Sequence, residues 1–300
     1  MAFDVAIHTN ESIFSAGSEL TTTFPPIESR CDLGPGLWVE RLDVGLAKAL
    51  LDFCERTCKG TLSPVRQFSQ LYAFVREIPE SARLAEWDRD NRLTNCVGLS
   101  RLIHPTSTGF RYAATFRVGD DGLPAQMCKA EISGINIEAH VSPTQKRNWL
   151  TEHEAEELKE VLRQFSAQAL PKRVGNALWY HEFAFRTWFA DVRWTLVCTA
   201  LEALLNTDTR DNKRQFESRT HGLATELGLE FEKADAQIAY DVRSKLTHGE
   251  AFLYGLPKGD LRIYDRMEDL LRASILRAIK DPGFARIFSS GDAVRSHWPL

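Results

Sequence analysis

Residues 190–206 form a run that is apolar on most sides. At helical spacing such a segment has almost no face to give to water, so it belongs at the centre of a bundle with other helices around it. The sequence supplies them. Residues 151–170 read as a charged amphipathic helix; it opens on Thr151-Glu-His-Glu154, which fits a capping box, and ends before Pro171. Residues 176–186 precede the central run, and the polar loop 207–211 closes it. Three more helices follow: 213–227 stopped at Gly228, 231–247 stopped at Gly249, and 261–279 ended by Asp281-Pro-Gly283. Helices of this length with short connections describe an all-α helical bundle over residues 146–300.

Residues 1–145 have a different character, and we read them as an α+β domain. Residues 37–58 carry apolar positions at Leu42, Val44, Leu46, Leu50, Leu51 and Cys54, and Gly60 follows, which predicts a helix. Strand-like runs are expected at 70–77, 93–103, 110–118 and 132–140, separated by turn signals at 79–81, 104–109 and 119–122. Gly34-Pro35-Gly36 reads as a turn, because no phosphate-binding glycine pattern surrounds it.

Composition excludes several classes. Hydrophobic residues make up 43% and charged residues 26%, as expected of a globular chain rather than a disordered one. The most apolar stretch, 188–205, still contains Asp191, Arg193 and Glu202, so no membrane span of about 20 apolar residues is available. The start, Met-Ala-Phe-Asp-Val, lacks the basic and apolar regions of a signal peptide, and a cytoplasmic location is expected. The net charge of -4 gives no global attraction to nucleic acid. Residues 171–300 are close to neutral, with 19 Lys and Arg against 18 Asp and Glu, so a local basic cleft is still open to this part. The six cysteines, Cys31, Cys54, Cys58, Cys96, Cys128 and Cys198, form no paired CxxC knuckles. Reduced core thiols are expected rather than zinc ligands or disulfides.

The most informative stretch is Tyr240-Asp-Val-Arg-Ser-Lys-Leu-Thr-His-Gly249. On a helix with Tyr240 at zero, Arg243 lies at roughly -60°, Ser244 at roughly +40° and His248 at roughly +80°. Ile238 and Val242 fall roughly opposite. The expectation is an apolar stripe of Ile238 and Val242 in the bundle, with Tyr240, Arg243, Ser244 and His248 facing one cleft. Such a set suits phosphodiester cleavage in RNA. A histidine moves a proton near neutral pH, an arginine offers a fork of donors to phosphate oxygens, and a serine orients an oxygen. The neighbouring 2′-OH is the nucleophile, so no metal is needed. The plainer alternative is that Arg243 and His248 share a helix by chance, with His248 resting near the carbonyls of a helix end. On the central helix, Asp191, Thr195, Thr199, Glu202 and Asn206 line one narrow polar face. That face is either solvated or turned to the same cleft, with Glu202 orienting the arginine or the histidine.

Three segments in order carry a resemblance: Ala200-Leu-Glu-Ala-Leu-Leu205, Phe216-Glu-Ser-Arg219 with Leu223, and the 240–249 string. Together they resemble the HEPN superfamily, in particular its Apea-like branch, over about residues 175–280. The resemblance implies a four- or five-helix bundle that commonly dimerises. It also implies metal-independent endoribonuclease activity of the kind found in prokaryotic defence and toxin systems. Arg243 and His248 match the family's catalytic pair, Ser244 its polar neighbour, and Glu202 the acidic position of the earlier helix. Tyr240, Arg219 and Lys245 are the substrate-contacting candidates. No cofactor is implied. The implied partners are RNA, a second copy of the chain, and a protein or small ligand for residues 1–145, which would sense or bind. The family also holds inactive members, so a non-catalytic dimerisation or RNA- or protein-binding module is the rival reading.

The remaining candidates are weaker. His140, His153 and His181 are scattered, and His153 with Glu156 and Glu157 lacks the spacing of a metal site. Trp149, Trp179, Trp188 and Trp194 suit core or interface packing better than a base-stacking platform. Cys198 has apolar neighbours and no base beside it in its helix, a poor setting for a nucleophile. Lys213, Arg214 and Arg219 are read as ordinary surface charge, with contact to an RNA backbone as the alternative.

Overall fold

The computed structural model describes residues 2–9, 30–43, 45–46, 48–49, 52, 71–78, 92–106, 112–118, 124–132, 149–187, 189–250 and 258–300. The chain divides into two compact units, Met1–Leu162 and Arg163–Leu300. The division falls inside the helix Glu152–Ala167.

Among the described residues the first unit is built on a six-stranded antiparallel sheet. Its strands are β1 (Ala2–Thr9), β2 (Cys31–Gly34), β3 (Leu37–Arg41), β4 (Leu71–Ile78), β5 (Tyr112–Val118) and β6 (Pro124–Ile132), in the order β2-β3-β4-β1-β5-β6. The first strand is central, with Val5 opposite Val75 on one side and Ala114 on the other. Strands β2 and β3 form a hairpin closed by Pro35 and Gly36, and Gly36 has φ +65°. That is the proline-then-glycine order a type II turn requires, so the turn read from Gly34-Pro35-Gly36 is present.

Several local expectations need correction here. Residues 37–41 are strand, not the start of a helix. Their Leu-Trp-Val core favours a pleated surface, and the turn before them feeds directly into the pairing with β4. Helical residues appear later, at 45–46, 48–49 and 52, with the Asp43 carboxylate accepting from the N–H groups of Gly45 and Leu46. Residues 93–103 are not strand but helix α1 (Arg92–Ile103). Cys96, Val97, Leu99, Ser100, Arg101 and Leu102 are all buried, so its apolar pattern lacks the one-sided period that marks a surface helix. Strand β6 was not anticipated. The run expected at 132–140 touches the described residues only at Ile132, where β6 ends.

Helix α2 (Glu152–Ala167) begins with the expected capping box. Glu154 Oε2 accepts from the Thr151 N–H at 2.7 Å, and Thr151 Oγ1 accepts from the Glu154 N–H at 3.4 Å.

The second unit is helical: α3 (Lys172–Phe185), α4 (Ala190–Leu205), α5 (Asn212–Leu227), α6 (Lys233–Thr247), α7 (Lys258–Lys280), α8 (Pro282–Ile287) and α9 (Gly291–His297). As its composition requires, α4 is central. Trp194, Val197, Cys198, Ala200, Leu201, Leu204 and Leu205 are buried, and α3, α5, α6 and α7 pack around them. The Trp194 indole N–H donates to the Ala239 carbonyl of α6 at 3.1 Å, so the largest core side chain keeps its polar atom satisfied. Two arginines donate to the carbonyls left unpaired at the C-terminal end of α4. Arg173 Nη1 donates to the carbonyls of Ala203 and Asn206, and Arg219 Nη1 to that of Leu205. No described helix is long and apolar enough to cross a membrane.

Candidate active site

Helix α6 owes its start to Asp235, whose carboxylate accepts from the Glu232 N–H at 3.1 Å. It ends in a Schellman arrangement. The Glu250 N–H donates to the Lys245 carbonyl and the Gly249 N–H to that of Leu246, with Gly249 at φ +71°. The sequence anticipated this stop. It places His248 in the capping position, exposed, with Lys245 and Thr247 also exposed beside it.

The buried face of α6 is made by Ala236, Ala239 and Val242. Ile238, expected in the apolar stripe, is instead 38% exposed. The reason is the position of the buried arc. Ala236, Ala239 and Val242 centre near -100° from Tyr240, on the small-residue side that α4 can approach closely. This moves Arg243, at about -60°, onto the inner face, about 140° away from His248. Arg243 is thus half-buried whereas His248, further round the helix, is exposed.

What the helices do bring together is Arg243, Glu202 and Tyr240. Arg243 Nη2 donates to Glu202 Oε2 at 3.0 Å across α6 and α4. The guanidinium carbon lies 5.7 Å from the Tyr240 ring centroid, and that ring packs on Phe216 of α5 at 5.5 Å. Both members of the ion pair keep a minor part of their side chains in contact with water. Arg243 Nε is buried, and among the described residues no acceptor lies within hydrogen-bond reach of it. Burial pushes the Glu202 carboxyl upward from the usual carboxylate range, and Arg243 opposes that rise. Burial likewise raises the Tyr240 phenol; Glu202 adds to the rise, while Arg243 and Lys213 counter it. Of the polar line on α4, Thr195 and Thr199 bond back to the carbonyls of Asp191 and Thr195 within their own helix. Glu202 reaches out to another element, which is the orienting arrangement rather than the solvated one.

Two further groups border this cluster. Lys213 Nζ donates to Asp241 at 2.6 Å and lies 3.8 Å from Glu217, across α5 and α6. Asp241 was not among the candidates; its pairing with Lys213 spans 28 residues and leaves no local signal. Ser244 is half-buried on α6. Arg219 is not a substrate contact. It is 2% exposed, with Nε donating to the Trp298 carbonyl and Nη1 to Leu205, Gln215 and Thr207 oxygens. Every one of those acceptors is structural, which explains a charge on an otherwise inward face.

The other expectations resolve simply. Trp149 and Trp194 are buried, whereas Trp179 is 58% exposed and stacks on Phe183; Trp188 and His140 lie outside the described residues. His153 is exposed. Among the described residues no group of three or more His, Cys, Asp or Glu side chains is arranged to hold a metal. Cys31, Cys96 and Cys198 are free thiols, while Cys54 and Cys58 lie outside the described residues. Cys198 is fully buried, with its Sγ 3.6 Å from Met267 Sδ, and burial pushes its thiol strongly up.

Comparison with protein-family models, with curated proteins and with solved structures returned no match to the chain.

Proposed function

We propose that the protein is a HEPN-like, metal-independent endoribonuclease acting in a prokaryotic defence or toxin setting. The observation that carries this reading is the Arg243–Glu202 pair. A permanent cation is held in position by a carboxylate on the facing helix, both partly open to water, five residues before an exposed histidine. Arg243 neutralises the charge that builds on the non-bridging phosphate oxygens as the 2′-OH attacks phosphorus. His248 removes the 2′-OH proton or gives one to the departing 5′-oxygen. The P–O5′ bond breaks, leaving a 2′,3′-cyclic phosphate and a 5′-hydroxyl. Because Arg243 and His248 leave α6 in different directions, the reading places the complete site between two copies, each contributing to a shared cleft. RNA is the substrate, and the role assigned to residues 1–145 is to sense or to bind a partner.

The test compares wild type with His248→Ala on mixed RNA in EDTA, together with growth on overexpression. The expected result is cleavage to cyclic-phosphate ends by wild type only, with toxicity abolished by the substitution. Equal cleavage by both proteins, or no cleavage and no toxicity from wild type, overturns the proposal.

A second reading, a non-catalytic assembly module, is favoured by one surface feature. Trp179 and Phe183 on α3, with Phe189 and Val192 at the start of α4, leave large apolar side chains in water. This reading expects His248→Ala to keep the biological activity and Trp179→Ala to lose it.

A further inference from the structure

Among the described residues the charge on Glu202 is compensated by one guanidinium, that of Arg243. On α6 the carboxylate faces Arg243 and Tyr240; one turn earlier on α4 lies the buried Cys198 thiol. Helix α7 contributes the apolar Met267 beneath that thiol. Helix α5 contributes Lys213 and Glu217 beyond Tyr240, and Lys213 is already engaged by Asp241 and Glu217. The charged group of α3 at this helix is Arg173, which is committed to the carbonyls of Ala203 and Asn206. Nothing else on these elements is placed to replace Arg243 as the partner of Glu202 among the described residues.

An anion that settles on Arg243 must therefore share that cation with a carboxylate already largely removed from water. Two negative charges on one guanidinium are unfavourable, and the solvent-connected group that can shed its charge is the carboxylate. We infer that binding of an RNA phosphodiester at Arg243 is coupled to uptake of one proton by Glu202, which then donates its O–H to the incoming phosphate. The inference rests on the reading that Arg243 receives a phosphate. Burial already favours the protonated form of Glu202 and Arg243 opposes it, so loss of exclusive pairing acts in the required direction. The sign follows. Binding raises the proton affinity of the carboxyl, so affinity is greatest at low pH and falls as pH rises, with a limiting slope of about tenfold per pH unit for one proton.

The experiment uses the full chain carrying His248→Ala, which removes the imidazole as a competing site of proton uptake. The probe is a 2′-O-methyl oligoribonucleotide, which lacks the attacking hydroxyl. Calorimetry in two buffers of different ionisation enthalpy should give different binding heats at pH 7, reporting proton uptake. The dissociation constant should rise steadily from pH 5.5 to 8. Glu202→Gln in the same background should flatten that dependence and bind more tightly than its parent at pH 8, with Tyr240→Phe keeping the parent slope. Thermal melts confirm that each variant is folded, and Glu202→Asp, which retains a titrating carboxyl, should keep the linkage. Identical heats in both buffers, a pH-independent constant, a Glu202→Gln profile that follows its parent, or no binding of the probe overturns the inference. Failure of the two proposals is distinguishable. Proton-linked binding without RNA cleavage by wild type removes the nuclease reading and keeps the linkage; cleavage without linkage does the reverse.

Discussion

The indole of Trp298 lies against the backbone of Gly222, so close that a methyl group at that glycine would stand 2.8 Å from Cδ1. The contact joins the C-terminal end of the chain to the middle of α5, and the Trp298 ring also meets Phe288. Gly222→Ala adds a carbon where the packing leaves no room. The expected cost is about 1–3 kcal/mol in denaturant unfolding, despite the better helix propensity of alanine. A neutral or stabilising result would show that Trp298 can move aside.

Arg219 holds the same region from inside. Its donors satisfy the Leu205 carbonyl at the end of α4 and the Trp298 carbonyl after α9. Arg219→Ala strips buried acceptors of their partner and should cost about 3–5 kcal/mol, with loss of any activity tracking loss of folded protein. Unchanged melting with lost RNA binding would return Arg219 to the list of substrate contacts.

Glu268 on α7 is 1% exposed, with Arg193 and Arg272 each 3.9 Å away. Burial pushes its carboxyl up to about 6, against the pull of the two arginines. A carboxyl raised in the folded state binds its proton more tightly than in the unfolded chain. Its contribution to stability is therefore complete below the unfolded value near 4.5 and is lost as pH rises to about 6. The loss amounts to about 2 kcal/mol. Glu268→Gln should remove this part of the pH dependence between 4.5 and 6 in urea titrations; an unaltered profile would assign the dependence elsewhere.

Cys96 and Cys198 are buried, and burial pushes both thiols far up. Neither should react with a thiol reagent at pH 8 until the protein unfolds, and reaction at Cys198 should coincide with the loss of the Trp194–Ala239 bond beside it. Rapid native labelling of Cys198 would show that the bundle opens locally.

The helical unit was readable because its signals are local: Gly228 and Gly249 in left-handed conformations, Pro171 before α3, and an apolar run too complete to sit anywhere but the centre. The sheet was harder. Its pairings join residues as distant as Val5 and Ala114, and α1, being buried on most of its surface, shows no amphipathic period. At the site, the Glu202–Arg243 pair was anticipated as one of two alternatives for the polar line on α4. The half-burial of Arg243 is not legible there, because a helical wheel alone does not say which arc of α6 is covered. Ala236 and Ala239 set that arc, and small residues carry too little hydrophobic weight to announce it.

The left-handed glycine at 249 turns the chain away immediately after His248. Position 248 thus answers to solvent and to whatever docks there, whereas position 243 answers to the scaffold as well. Natural drift or a designer can rewrite the chemistry at the first without the framework noticing, but any change at the second is felt by α4 through its carboxylate.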